Sequence, residues 1–588
     1  MNLRLPWPRL GFLCLLVIGL CSATANAAQP DLRSTLRVGV WTLWHDHEVK
    51  LIPAGPGHSF RFQTCAGCAP MTARQPESIR VMGDALVLTE PHKSNRAKRI
   101  SISAPVTLNA HGETLTLPWP VVVTARSGVL VMAVTMPVES YVERVVASES
   151  DDADSTASLE ALAIVVRTFA LHQAHGHADY DLCDSTHCQL VRWNASSGRL
   201  AMARAAALTT SSETLWFHGQ PALAYFGKDC GGYTASPAEI WPGAHALPYL
   251  PARPDSHCTR DGGHEWASEI SLSNLTAALA THGLARPGWQ NLTIAQRGPS
   301  GRATILRADS TAIPAEQFRL AVGESLGWNR LPSIWFEVIR QGDRFLFHGR
   351  GWGNGVGLCQ RGAVVMAAEG RSTAQIIGQY FPSAKVADEA TGRAWQTFSG
   401  EGFQLQSLDP ADAAYLPELS RARAEASERS GLNASIPFTV RAFASTPAFR
   451  AATLAPGWVA AFTQGNWIAT QPLRTLAARH LLAATMRHEF LHALVESQAG
   501  ANAPLWLREG LVEVWADDAG REDRPPTLSY NAVDAALAHS SGEVESARAH
   551  HAAAWYAARL LQRYGRQQTL EWLRSGIPAA VGSSLGQR

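Results

Sequence analysis

The 588-residue sequence has almost no net charge, no internal repeat and no low-complexity tract. Lys and Arg total 51 against 50 Asp and Glu, and charged residues make up only 17% of the chain. A protein that binds nucleic acid through bulk positive charge is therefore not expected, and no segment resembles an RNA- or DNA-binding module. The hydrophobic fraction of 46% argues against a disordered chain.

Long apolar runs are also missing. After the N-terminus, no segment reaches the ~18 continuous apolar residues of a membrane-spanning helix. The start, MNLRLPWPRLGFLCLLVIGLCSATANAAQP, has two arginines before a short apolar run and a small-residue cleavage site near Ala27. This pattern predicts a secretory signal over residues 1–27. Cys21 suggests a lipoprotein as the alternative, although Leu20 is bulky for one. We expect an exported protein of the periplasm or cell envelope, where disulfides are permitted.

Cysteine is scarce for so long a chain. Nine are present, and removing Cys14 and Cys21 with the signal leaves seven. Seven is odd, so at least one cysteine is free, metal-bound or intermolecular. Cys65 and Cys68 lie in CAGC on a polar loop, which favours a local disulfide over a redox site.

The length exceeds what one hydrophobic core supports, and the pattern predicts a multi-domain α+β protein. Residues 35–136 are rich in short β-branched segments that often alternate, such as TLRVGVWTL and GVLVMAVTM. Residues 155–174 have helical spacing of apolar side chains. After YFPSAKV the spacing of apolar residues becomes mainly helical, so we place a domain boundary near 390–400. Residues 391–430 are interpreted as a linker leading into the next domain.

HEFLH, in the C-terminal region, places His488 and His492 four residues apart, on one face of a helix. Two imidazoles so arranged can share a Zn²⁺, and Glu489 can act as general base on a zinc-bound water. A third ligand is needed. WLREGLVE supplies Glu509, with Glu513 one turn further on.

HEFLH followed by Trp-Leu-x-Glu-Gly resembles the gluzincin peptidases, specifically the peptidase MA-like group. The resemblance extends over about 400–588, and the domain is taken as 431–588. It implies that His488, His492 and Glu509 bind a catalytic zinc and that Glu489 is catalytic. Glu513 is expected outside the coordination sphere or on the surface.

A second set of motifs lies in order along the first 390 residues. They are TMPVESYVERVVASESDD, YDLCDSTHCQL, AYFGKDCGGYTASPAEIWPG, LPYL and HGRGWGNGVGLCQRGA. Together they resemble the SpoIID/LytB family, which includes the sporulation stage II protein D and amidase enhancers. The resemblance covers about 35–390, and the domain is taken as 28–390. It implies a peptidoglycan lytic transglycosylase that acts on glycan strands lacking stem peptides.

The position that matches the family's catalytic acid is Glu149, at the end of the strand-like run ERVVASE. A single carboxylate would protonate the glycosidic oxygen and then accept the proton of the sugar's 6-hydroxyl. To act near neutral pH, Glu149 needs a raised pKa and therefore partial burial. Asp151, Asp152 and Asp154 are interpreted as a solvated loop.

Two departures weaken the match. Ser150 replaces a commonly apolar residue, and Asn354 stands where the family's glycine loop usually has His. Arg167 matches a family arginine that could orient Glu149 or bind the sugar. Trp352 could stack on a sugar or belong to the core. The predicted substrate-binding residues are Arg167, His348, Trp352, Asn354 and Gln360. The glycines around them are expected to let the backbone approach the glycan.

His177, Cys183, His187 and Cys188 match a region where some family members bind a structural zinc. A Cys183–Cys188 disulfide is an equal alternative. Cys258 is the preferred disulfide partner of Cys230, which would leave Cys359 as the odd thiol.

The combined prediction is an exported cell-wall enzyme that acts on peptidoglycan glycan strands and carries a zinc peptidase-like domain. Wall peptides or other cell-wall hydrolases are possible further partners. One alternative is a non-catalytic glycan-binding or amidase-enhancing module that targets an active peptidase. Another is an active transglycosylase whose zinc domain is a scaffold.

Overall fold

The computed structural model describes residues 34–89, 96–172, 176–260, 262–516, 525–539 and 542–585. The predicted signal at 1–27 lies outside these residues. Among the helices of the described ranges, none has the length and apolarity to cross a membrane.

The N-terminal region is a pair of six-stranded sheets. One has the order β1-β12-β11-β8-β3-β4 and the other β10-β9-β2-β5-β6-β7, and all their pairings are antiparallel. Alternating burial, as in β1, turns one face of each strand to the core. The strands are β1 (Thr35–Val40), β2 (Glu48–Pro53), β3 (Phe60–Gln63), β4 (Met71–Ala73), β5 (Glu77–Met82), β6 (Ala85–Thr89), β7 (Arg96–Ala97), β8 (Arg99–Ile102), β9 (Val106–Ala110), β10 (Glu113–Leu117), β11 (Val121–Arg126) and β12 (Val129–Pro137). The β-rich prediction for 35–136 is confirmed.

Helices and short sheets follow β12 without a break in the hydrophobic core, which is continuous from Leu36 to Phe381. The elements are α1 (Val138–Glu149), α2 (Thr156–His172), α3 (Ser197–Thr209), β13 (Glu213–Phe217), β14 (Gln220–Pro221), β15 (Phe226–Gly227), α4 (Pro237–Ile240), α5 (Ser256–Thr259), β16 (Glu265–Ser271), α6 (Leu272–Thr281), β17 (Leu292–Arg297), β18 (Ala303–Ala308), β19 (Thr311–Pro314), α7 (Ala315–Leu326), β20 (Phe336–Gln341), β21 (Arg344–Arg350), β22 (Leu358–Cys359), α8 (Gln360–Ala368), α9 (Thr373–Tyr380) and β23 (Lys385–Asp388).

The segment ERVVASE is helical, so its interpretation as a strand is wrong. It forms the last two turns of α1. Val138, Tyr141, Val142, Val145 and Val146 are buried at the i, i+3, i+4, i+7, i+8 spacing of a helix. This longer pattern decides over the short β-branched run within it. The helix predicted over 155–174 is confirmed as α2.

The C-terminal region contains a five-stranded sheet covered by helices, and its core runs from Phe403 to Leu585. Its elements are β24 (Gln396–Gly400), β25 (Phe403–Ser407), a 3₁₀ turn (Pro410–Tyr415), α10 (Leu416–Ser430), β26 (Phe438–Ala442), α11 (Thr446–Thr453), β27 (Ala461–Gln464), β28 (Trp467–Thr470), α12 (Leu473–Ala478), α13 (Leu482–Glu496), α14 (Leu505–Ala516), a 3₁₀ turn (Tyr530–Ala532), α15 (Val533–His539), α16 (Glu543–Ser575), which is broken at Gly565, and α17 (Ala579–Leu585).

Most of residues 391–430 belong to this second core and do not form a linker. β24 and β25 are strands of its sheet, and α10 buries Leu419, Ala422 and Ala426. The two regions are also joined. Arg441 on β26 is 3% exposed, donates to the Ser211 carbonyl and pairs with Glu213 at 2.6 Å.

Candidate functional site

A cleft of about 220 Å³ opens where the end of α1 meets the start of α8. Eleven residues line it: Glu149, Asp151, Ala153, Asp154, Lys228, Asp229, His264, Gln360, Arg361, Val364 and Val365. α1 ends at Glu149 because Ser150 turns to an extended conformation, while its N–H still donates to Val146. The Glu149 side chain is thereby presented at the carboxyl end of a buried helix.

Glu149 is half-buried, and its carboxyl group is poised to hold a proton. Burial raises its pKa to about 7, while the positive charges of Arg192 and Lys228 and a hydrogen bond from Gln360 act in the opposite direction. The carboxyl end of α1 carries a partial negative charge that also disfavours the anion. At neutral pH this group can therefore both donate and accept a proton.

Gln360 joins Glu149 directly. Its Nε2 donates to the Glu149 carbonyl at 3.2 Å and its amide also reaches the carboxylate. Gln360 is the first residue of α8, immediately after the glycine-rich loop 349–357 and β22. The structure thus brings together Glu149, Gln360 and the end of that loop.

Arg167 does not line this cleft, which corrects its assignment to substrate binding. It is fully buried and forms a bidentate pair with Glu139, with N–O distances of 2.9 and 2.6 Å. Its remaining donors bind the Ala207 and Glu213 carbonyls. α2 points Arg167 into the interior between α1 and α3, because the buried residues of α2 surround the whole helix and leave no exposed edge there.

The other predicted substrate-binding residues differ in their placement. Trp352 is half-buried and packs edge-on against the cleft residue His264, with ring centroids 5.6 Å apart. Asn354 serves its own loop, since its Oδ1 accepts the Val356 N–H at 2.9 Å. His348 is exposed on β21 and is not among the residues that line the cleft.

The glycines of the loop pack against protein. A Cβ on Gly351 would meet the Asp229 carbonyl, one on Gly355 the Arg302 guanidinium, and one on Gly357 the Tyr225 carbonyl. All three have positive φ, near +80°. Their role in this structure is close packing of the loop onto Arg302 and the segment before Cys230, which differs from the expected contact with a polymer.

Sequence reasoning missed most of the cleft wall. Lys228, His264 and Arg361 come from three separate segments with no spacing that links them to Glu149. Asp151 and Asp154 line the cleft, whereas they were expected in a solvated loop. Asp154 accepts hydrogen bonds from the Asp151 N–H and the Ser158 hydroxyl, and burial raises its pKa. Asp151 and Asp152 are nevertheless exposed, as a solvated loop predicts, and Asp154 is half-buried.

The cysteines form three groups. Cys65 and Cys68 form the predicted disulfide. His177, Cys183, His187 and Cys188 place their ligand atoms within 4.8 Å of one another, with both thiols free. Two thiols and two imidazoles at this spacing fit a zinc ion.

The third group corrects the predicted Cys230–Cys258 disulfide. Cys230, Cys258 and Cys359 are all free thiols in one buried cluster with Asp255. Cys359 was expected to stand apart as the odd thiol. β22 instead brings it beside Cys230, whose N–H lies 3.3 Å from its sulfur.

In the C-terminal region, HEFLH lies on α13 and its two histidines face each other. The His488 and His492 Nε2 atoms are 3.0 Å apart, and the Glu509 carboxylate on α14 lies 3.8 Å from His492 Nε2. Two unprotonated nitrogens at that distance need a proton or a cation between them. Burial, with the charges of His488 and His550, lowers the pKa of His492 and keeps it neutral. Two facing imidazoles can share a metal ion, and Glu509 is the carboxylate next to His492.

Glu489 is buried beside these histidines. Its Oε2 accepts the Thr463 hydroxyl at 2.5 Å, and burial raises its pKa. His550 was missed from sequence. Its Nδ1 lies 2.9 Å from Glu513 and 3.8 Å from Glu509, so Glu513 pairs with His550. His550 lies on α16, and its distance from HEFLH along the sequence follows no known motif. Sequence could at most have predicted the helix that carries it.

Comparison with known proteins finds family matches for parts of the chain that include some of the cleft residues. The Stage II sporulation protein (SpoIID) model matches residues 126–217, which include Glu149, and a domain of unknown function (DUF8618) matches 241–357. The chain therefore contains a SpoIID family domain. Both matches lie before residue 358, so the peptidase interpretation of the C-terminal region stays a prediction.

Curated relatives agree at low identity. Stage II sporulation protein D of Bacillus subtilis is 26% identical over 270 residues, covering 43% of this chain and 75% of that protein. An uncharacterised protein of Brachyspira hyodysenteriae is 26% identical over 254 residues, covering 43% and 67%. The amidase enhancer of Bacillus subtilis is 20% identical over 293 residues, covering 40% of this chain and 39% of that protein. More than half of this chain lies outside each match.

Proposed function

We propose that the Glu149 cleft is the active site of a lytic transglycosylase that cuts peptidoglycan glycan strands, with denuded strands as the preferred substrate. The observation that carries the proposal is the half-buried Glu149, with a pKa of about 7, in a cleft that also presents Lys228, His264 and Arg361. Its place within the SpoIID match supports the substrate class.

In the proposed reaction, protonated Glu149 donates its proton to the glycosidic oxygen as the bond from C1 to that oxygen breaks. The resulting carboxylate then accepts the proton of the same sugar's 6-hydroxyl while O6 bonds to C1. One bond breaks, one forms, no water is consumed, and Glu149 ends protonated. Gln360, which donates to the Glu149 main-chain carbonyl and whose amide also reaches the carboxylate, would position the carboxyl group for both transfers.

The test is digestion of purified denuded strands, with the new ends identified by mass spectrometry. The proposal predicts 1,6-anhydro-muramyl ends. Reducing ends would contradict it and would indicate a hydrolase in which Asp151 or Asp154 acts as a second carboxylate. Strand binding without cleavage would instead favour the glycan-binding or amidase-enhancing alternative.

We further propose that the C-terminal region is a zinc-dependent peptidase that acts on wall peptides or wall proteins. The facing Nε2 atoms of His488 and His492 carry this proposal, and Glu509 completes the donor set. Bound zinc would supply Lewis-acid polarisation of the scissile carbonyl and of a water. Glu489, oriented by Thr463, would take the proton from that water. His550, which pairs with Glu513, lies 3.8 Å from Glu509 and would help to orient it.

A structural zinc at His177, Cys183, His187 and Cys188 is proposed as well. That segment packs on β1, where the Asp184 carboxylate accepts from the Trp41 and Thr42 N–H groups. Export to the periplasm or cell envelope remains part of the proposal, since both activities need access to the wall. Chelator-dependent alkylation of Cys183 and Cys188 would support the zinc, and a disulfide between them would refute it.

A further inference from the structure

Three cysteines and an aspartate meet in the interior next to the cleft. Cys230 follows β15, Asp255 and Cys258 lie at α5, and Cys359 ends β22. Their exposed fractions are 1%, 0%, 0% and 2%. Their four ligand atoms lie within 4.8 Å of one another, and Cys230 Sγ is 3.3 Å from Asp255 Oδ2. The side chains thus converge on one point from three separate segments.

We propose that these four residues bind one zinc-class divalent cation with Cys₃Asp ligation. Zinc bonds are about 2.3 Å to sulfur and 2.0–2.2 Å to a carboxylate oxygen, so tetrahedral ligands lie roughly 3.5–3.8 Å apart. The observed spacing accommodates that polyhedron. Thiolate-rich sites select zinc, copper(I) or iron–sulfur clusters over magnesium and calcium. Among these, three sulfurs and one oxygen suit a single zinc ion.

The charge of the cluster supports a cation. Asp255 is fully buried, with its carboxylate bonded to the Tyr380 hydroxyl at 3.0 Å and to the N–H groups of His257 and Cys258. Two guanidinium groups lie beside the cluster, and both donate to backbone carbonyl groups. Arg302 donates to the Cys230 carbonyl and Arg361 to the Cys258 carbonyl. A buried carboxylate among thiols is costly without compensating charge, and a bound cation would supply it.

The backbone is arranged to stabilise thiolates. The N–H groups of Cys230 and Gly362 lie 3.3 and 3.4 Å from Cys359 Sγ. A side chain at Gly362 would clash with Asp255 and Tyr380, so glycine is required for this approach. Cys258 Sγ lies 3.0 Å from Asp229 Oδ1.

The proposed ion would connect the walls of the cleft. Lys228 and Asp229 directly precede Cys230, and Gln360 and Arg361 directly follow Cys359. Metal binding would therefore fix the distance between the segment that follows β15 and the start of α8, which carry these cleft residues. This role is separate from the His177 group and from the histidines of α13.

The main rival is a disulfide between two of the three thiols, formed after export. Metal analysis of the full-length protein distinguishes the two. The other candidate sites are removed by His488→Ala with His492→Ala and by Cys183→Ser with Cys188→Ser. In that background, about one zinc per chain should remain, and adding Cys359→Ser should remove it. Cys65→Ser with Cys68→Ser is the matched control and should leave the zinc in place.

Wild-type protein provides a test that needs no folded variant. Cys230, Cys258 and Cys359 should all be alkylated after denaturation with chelator and without reductant.

Cobalt(II) provides a spectroscopic test in the background protein that carries the four substitutions named above. The bound cobalt should show thiolate-to-metal charge-transfer absorption. Asp255→Asn should reduce this absorption far less than Cys359→Ser does. A disulfide among the three in the peptide map would overturn the proposal. So would equal metal content in folded background protein with and without Cys359→Ser.

Discussion

The Glu149 cleft and the HEFLH site both bury a glutamate, but their surroundings differ. Around Glu149, burial raises the pKa to about 7, and Arg192, Lys228 and the Gln360 amide partly offset the effect. Around Glu489, burial also raises the pKa, yet the adjacent feature is a pair of imidazole nitrogens 3.0 Å apart. The first site contains positive charges of its own. The second has two facing imidazoles, and the nearby carboxylate of Glu509 lies 3.8 Å from His492.

This difference indicates that similar carboxylates are set up for different tasks. Glu149 would work by giving and recovering a proton, with only protein groups around it. Glu489 would work on a water that another group has activated. The comparison therefore predicts that the two activities are independent. A substitution at one site should leave the activity of the other site unchanged.

The largest expected effect is on peptidase activity, and it distinguishes the proposed base Glu489 from the proposed metal ligand His488. Glu489→Gln should lower peptidase activity by roughly 10²–10⁴-fold, the range for loss of general acid–base catalysis, and should retain metal. His488→Ala should lose both the activity and the metal of this site, about one equivalent per chain, while the metal of the other proposed sites remains. Metal content and cleavage of wall peptides are measured on the same samples. Loss of metal in Glu489→Gln would contradict the assignment of Glu489 as a base.

Arg167 provides the next largest effect, on stability. Arg167→Leu leaves Glu139 buried without its partner and should cost about 3–5 kcal/mol of unfolding free energy. Chemical denaturation measures it. The matched control is Arg126→Leu, whose exposed guanidinium pairs with Asp179 at the surface, so its effect should be much smaller. Equal effects of the two changes would contradict the structural role of Arg167.

Glu149 should also affect stability in a pH-dependent way. Its folded pKa of about 7 lies above the ordinary 4.5, so the folded state holds the proton more tightly than the unfolded state. The stabilisation is complete below pH 4.5 and is lost as pH rises through 7. Relative to Glu149→Gln, wild type should therefore lose about 1–3 kcal/mol between these pH values. A pH-independent difference between the two would mean that Glu149 is not perturbed.

The smallest effect concerns the glycine loop. Asn354→Ala removes the acceptor of the Val356 N–H and should cost about 0.5–1.5 kcal/mol. Thermal unfolding measures it, with the exposed His348→Ala, expected within about 0.5 kcal/mol, as control. If Asn354 binds the sugar directly, the rate of strand cleavage should fall while stability stays unchanged.

Local pattern predicted the elements better than it predicted the sites. Alternation identified strands such as β1 and β12, and helical spacing identified α2. HEFLH and Glu509 were found because their geometry is encoded within two neighbouring helices. Arg167 was misplaced because adjacent positions on a helix can face either a cleft or a core. Only packing decided between them, through α3 and Glu139.

Residues contributed by distant segments could not be predicted. Lys228, His264 and Arg361 reach the cleft only through tertiary contacts, and His550 reaches Glu509 only because α16 packs on α14. The cysteine pairing failed for the same reason. The number of thiols can be counted in the sequence, but their proximity depends on the fold. Cys359 lies beside Cys230 because β15 pairs with β22.

The most direct measurement compares strand cleavage by three full-length proteins under identical conditions: wild type, Glu149→Gln and Glu489→Gln. Release of 1,6-anhydro-muramyl ends from denuded strands is followed by mass spectrometry. Wild type and Glu489→Gln should cleave at the same rate, and Glu149→Gln should be slower by at least about 10²-fold. Undiminished cleavage by Glu149→Gln would contradict the claim that Glu149 is the acid of an independent glycan-cutting site.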